Sequence, residues 1–77
     1  MSQPSIDDLS AFYEARLRRL LETLTKLQRG ELAPPPGFTV PEAAFLIERS
    51  ILSTYRMLAS LGREDEALRL IQTARNQ

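Results

Sequence analysis

The side chains of this chain that could do chemistry are few in kind. The sequence contains neither His nor Cys. It therefore lacks the groups that most often serve as base or nucleophile near neutral pH. It also lacks the nitrogen and sulfur ligands of a transition-metal site, and no disulfide can form. What remains is carboxylate, guanidinium and phenol. Asp7–Asp8 and Glu64–Asp65–Glu66 are acidic groups of the kind that can hold a hard cation. Each group opens a helical pattern, where negative charge complements the positive end of the helix dipole, and that accounts for them without a metal. Tyr13 and Tyr55 fall on apolar rows, as core residues with a hydroxyl at the edge do. No catalytic, cofactor-binding or metal-binding residue is assigned, and an enzyme is not expected.

Arg16, Arg18 and Arg19 form the one basic cluster and are the only residues grouped as phosphate ligands would be. The whole chain, however, sets ten basic against ten acidic residues, for a formal net charge of zero. Nucleic-acid and acidic-membrane binders carry a basic excess instead. Lys26 is the lone lysine among the basic residues. That Arg bias is a mark of GC-rich bacterial genomes, because most Arg codons are GC-rich.

Three helices must position these groups. Ile6, Leu9, Tyr13, Leu17, Leu20, Leu24 and Leu27 recur at steps of three and four, the period of an amphipathic helix. Ser5 as N-cap with Asp8 in the reciprocal position begins this helix, and Gly30 stops it, which predicts a span of 6–29. Leu20 and Leu24 are expected in its buried seam. Thr39 with Glu42 makes the same capping pattern for a second helix over 41–61, with Pro41 tolerated in the first turn. Ala44, Ile47, Ile51, Tyr55 and Leu58 form its main apolar row, and Phe45, Leu46, Leu52 and Ala59 widen it. A third helix is predicted over 64–75. Only Gly62 and Arg63 separate it from the second, so the two form a tight αα-hairpin with Gly62 at positive φ.

The connection at 31–40 carries Pro34, Pro35 and Pro36, with Pro41 just beyond. Consecutive prolines favour polyproline II, which keeps the first helix from running into the second. Leu32, Phe38 and Val40 are expected to pin this linker onto the bundle. The alternative use of such a tract, as a ligand for an SH3-type groove, has no basic flank to support it here. The fold class expected is all-α: a single helical domain over 1–77, with three helices, a Pro-rich linker and a C-terminal hairpin.

The stretch from Ile51 to Ala74, "ILSTYRMLASLGREDEALRLIQTA", resembles one tetratricopeptide-type hairpin. Gly62 stands where the first helix of such a repeat ends. Ala67 and Ala74 match its small positions, and Ile51, Leu58 and Ile71 its large apolar ones. Tyr55 departs from the pattern, since it occupies a position usually kept small, and no proline closes the unit. The resemblance covers about one repeat, whereas solenoids need about three. It implies a protein-binding surface and no catalysis.

A chain of 77 residues buries only about 60% of the surface its unfolded form exposes. Without disulfide or metal, association is the remaining source of stability. The helices also carry more large apolar side chains than one central core takes, and an exposed stripe of that kind marks a partner surface. Leu9, Phe12, Leu21, Phe45, Leu46 and Leu52 are the candidate partner-binding residues. The heptad rhythm of 6, 13, 20 and 27 with 17 and 24 suits pairing between copies through the first helix. The expected role is therefore a small interaction module acting as adaptor, assembly factor or chaperone-like subunit, with a protein partner or a homodimer and no cofactor. The alternative is a helix-turn-helix nucleic-acid binder, although its recognition helix would open with three acids. The N-terminus shows no basic region followed by an apolar one, and no apolar run reaches bilayer length, so a cytoplasmic protein without membrane contact is expected.

Overall fold

Two capping boxes set where the chain turns helical. The computed structural model describes residues 3–76. Met1 and Ser2, with which the N-terminal reading begins, lie outside the described residues, as does Gln77. Helix α1 spans Ile6–Gln28, α2 Val40–Ser60 and α3 Glu64–Arg75. Ser5 Oγ accepts from the Asp8 N–H while the Asp8 carboxylate accepts from the Ser5 N–H. Thr39 and Glu42 repeat the arrangement at α2, with bonds of 3.2 and 3.0 Å. The Thr39 backbone N–H, then its hydroxyl, holds the Glu42 carboxyl below the ordinary value of 4.5. Helices α1 and α2 each end one residue short of expectation, since Arg29 and Leu61 are caps.

The hairpin turn is tight, as the two-residue spacing requires. Gly62 has φ +79°, the Gly62 N–H returns to the Ala59 carbonyl, and the Arg63 N–H to that of Leu58. This is the paired return of a Schellman cap, which needs a left-handed residue at its corner. The Arg63 guanidinium then pairs with Asp7, tying the hairpin turn to the start of α1.

The helices form an antiparallel three-helix bundle in which α1 packs most extensively on α2. Where all three meet, Leu17, Leu58 and Ala67 are fully buried, with Tyr13, Leu21, Ile51, Tyr55, Leu70 and Ile71 around them. Ala67 is small enough to let α3 approach both neighbours. Nearer the linker, Leu27 packs on Ala43 and Ala44, flanked by Leu24 and Ile47. Only α1 and α2 build this second cluster. Helix α3 has 12 residues against 23 and 21, so it covers one end of the pair.

Three expectations are corrected here. Leu20 and Leu24 are only half-buried, Leu24 against the edge of a core cluster, and the deepest leucines of α1 are Leu17 and Leu27. The core where α1 meets both α2 and α3 is built on Leu17, and Leu20 belongs to neither buried cluster. Leu32, Phe38 and Val40 do not pin the linker, because all three are exposed. The linker instead bends sharply. The Phe38 N–H bonds the Pro35 carbonyl, with Pro36 and Gly37 at the corner and Gly37 at φ +87°. Proline second and a left-handed glycine third is the sequence of a type II turn. Finally, most of the heptad row of α1 is not free for another copy, although Ile6 at its start is 60% exposed. Tyr13, Leu17, Leu24 and Leu27 are used within the chain.

Candidate interaction surface

The six apolar residues singled out from the sequence separate into four places. Leu9 is half-buried, on α1 near the hairpin turn. Leu21 is also half-buried and packs against the Leu17–Leu58–Ala67 core, so it belongs mainly to the interior. Phe12 is 62% exposed, and its ring meets the edge of Tyr13 at 5.2 Å between centroids. Phe45, Leu46 and Leu52 are together on α2 and are 58%, 47% and 48% exposed. Of the four α2 residues that widen its apolar row, these three face away from the core and Ala59 is half-buried.

The outer face of α2 has a definite organisation. Its core side is set by Ala44, Ile47, Thr54 and Leu58, and the opposite side presents Glu42, Arg49, Ser53, Arg56 and Ser60. Apolar groups flank this polar line, with Pro41, Phe45 and Leu52 along one edge and Leu46 and Met57 along the other. Phe38, Pro41, Glu42, Phe45 and Leu46 line a shallow hollow of about 360 Å³ at the linker end. Arg49, Leu52, Ser53, Arg56, Met57 and Ser60 line another of about 540 Å³ farther along. The Arg49 guanidinium lies over the Phe45 ring, 5.9 Å from its centroid. That cation–π contact joins the polar line to the apolar edge.

Sequence reasoning missed Phe38 and Met57 as members of this face. The sequence places Phe38 among the residues that pin the linker onto the bundle, whereas it is exposed beyond the turn at Pro36–Gly37. Met57 follows Arg56 in sequence, and only the position of α1 decides on which side of α2 it is left open.

The basic cluster of α1 is divided, since Arg16 and Arg19, three residues apart, share one side and Arg18 lies on another. Arg16 Nε donates to Thr54 Oγ1 on α2 at 3.3 Å, and the same hydroxyl donates to the Ser50 carbonyl at 2.8 Å. Arg18 lies on another side of α1, where it lines a groove of about 420 Å³ with Leu21, Lys26, Arg29, Leu70 and Ala74. Residues two apart on a helix do not share a face. Glu22 pairs with Lys26 at 3.1 Å; among the described residues no ion pair joins Glu14 to Arg18.

Two of the three acids that open α3 have structural partners. Glu64 accepts from the Tyr55 hydroxyl, which holds that phenol above its ordinary value, and Glu66 pairs with Arg69 at 3.1 Å. Among the described residues no group of three potential ligands is placed to hold a metal ion, and no helix is long and apolar enough to cross a membrane. No family model, curated protein or solved structure matches the chain.

Proposed function

We propose that this chain is a small helical protein–protein interaction module, an adaptor, assembly factor or chaperone-like subunit, that docks through the outer face of α2. One observation carries the reading: Phe38, Phe45 and Leu46 are exposed around one hollow, and Leu52 is exposed farther along the same face beside a second, instead of packing on the bundle. Large apolar groups gathered in this way, with polar residues beside them, are the usual marks of a docking site. Phe45 is suited to anchor it, since aromatic rings supply much contact area at little entropic cost. The zero net charge and the split arginine cluster speak for this reading over a helix-turn-helix nucleic-acid binder.

The test is a hydrophobic dye at low protein concentration, with generic duplex DNA beside it. The wild-type chain should bind the dye. Phe45→Asp should abolish that binding while circular dichroism keeps its helical signal. Dye binding unchanged in Phe45→Asp would remove this face from consideration. DNA binding with a steep salt dependence would replace the reading by the nucleic-acid one.

A further inference from the structure

We infer that the occupant of this face is a second copy of the same chain, laid antiparallel along α2. The inference rests on the interaction reading and names its partner. The first support is the charge order along the helix. Glu42, Arg49 and Arg56 are seven residues apart and so follow one line beside the apolar edge of Phe45 and Leu52. The order is negative, positive, positive from the N-terminal end. Two parallel copies would set Glu42 against Glu42 and Arg56 against Arg56. Two antiparallel copies centred on Arg49 set Glu42 of each beside Arg56 of the other, twice by symmetry. The same register brings Phe45 of each copy to Leu52 of the other. A two-fold interface must be self-complementary in this way.

Arg49 would meet its own counterpart at the axis. Its guanidinium is already drawn along its own helix onto the Phe45 ring, which turns it from the axis and leaves it to cover the ring. One oxygen of Glu42 is held by the Thr39 N–H, so the carboxylate is oriented before any partner arrives. The second support is area. The chain exposes 5838 Å². A closed monomer of its mass would expose about 4,700 Å². The surplus over the whole chain, linker and chain ends included, is about 1,100 Å², room for the roughly 800 Å² that each partner contributes to a stable interface. The Cα radius of gyration, 13.8 Å, likewise exceeds the about 11.5 Å of a compact domain of this length.

Sedimentation of the full chain and its charge variants tests this. The wild type should be a dimer at high micromolar concentration. Arg56→Glu should weaken the dimer about tenfold, because it sets two acids together at both ends. An equimolar mixture of Arg56→Glu and Glu42→Arg chains should recover association, since each mutant then meets its opposite. Circular dichroism shows that each variant stays helical, which matters for Glu42→Arg because it also removes a cap. A dimer indifferent to Arg56→Glu overturns the inference, as a parallel arrangement or another face would give that result. A wild-type monomer overturns it too. If that monomer still binds the dye through Phe45, the interaction reading stands with a different protein as occupant. If it binds none, both fall.

Discussion

Ser10 is the most anomalous single residue of the bundle. Its Oγ is buried and, among the described residues, has no hydrogen-bond partner. A hydroxyl taken from water without compensation costs about 1–3 kcal/mol, and Ser is also a poorer helix former than Ala. Thr54, equally buried, has both roles of its hydroxyl filled by Ser50 and Arg16. Ser10→Ala should therefore stabilise the fold by about 1 kcal/mol, read as a higher denaturant midpoint. Thr54→Val, by contrast, removes satisfied bonds and should not stabilise. The leucines of α1 differ in the same local way. Leu17→Ala should cost about 2–5 kcal/mol, as fully buried leucines do. Leu20→Ala should cost clearly less, and equal losses in parallel melts would contradict the half-buried position of Leu20.

Among the elements, helix ends carry the strongest local logic. At the hairpin corner, a Cβ added to Gly62 would meet nothing within 4 Å. The cost of replacing it is then conformational alone. Gly62→Ala should lose about 1–2 kcal/mol for a left-handed alanine, and Gly62→Val more, because a branched side chain tolerates positive φ least. Equal melting of Gly62→Val and wild type would remove the left-handed corner. At the start of α2, the Glu42 carboxyl is held below its ordinary 4.5 by the Thr39 N–H. A depressed carboxyl contributes stability that is full above its unfolded value and lost as the pH falls through the folded one. The advantage of wild type over Glu42→Gln should thus be present at neutral pH and vanish in acid below that value. An advantage that persists unchanged into strong acid would mean that the ionised form is not what caps the helix.

At the scale of the whole molecule, the short third helix decides the shape. Helix α3 closes the end of the bundle around Leu17, Leu58 and Ala67 and leaves the Leu27–Ala43–Ala44 end to two helices. The Cα trace is a slab of 41 × 31 × 16 Å, with the outer face of α2 uncovered. Burial and chain entropy nearly cancel at this size, so association adds stability that the isolated copy lacks. The melting temperature should rise with protein concentration, as mass action requires for a form stabilised by association. A melt independent of concentration over a hundredfold range would show that a single copy suffices.

The residues that cap, stop and turn the chain were legible because their effect is local. Ser5 with Asp8, Thr39 with Glu42, and Gly62 each act within a few residues, and the three helices follow from them together with the apolar spacing. Periodicity also marked more apolar side chains than one core takes. It could not say which of them are left over, since a helical row is defined only up to the direction in which its neighbours stand. Packing made that choice. It drew Leu21 and most of the heptad row of α1 inward, left Ile6, Phe45, Leu46 and Leu52 outside, and divided Arg16 from Arg18. Side-chain identity and spacing were written in the chain; the surface that meets a partner was decided only when α1 and α3 took their sides of α2.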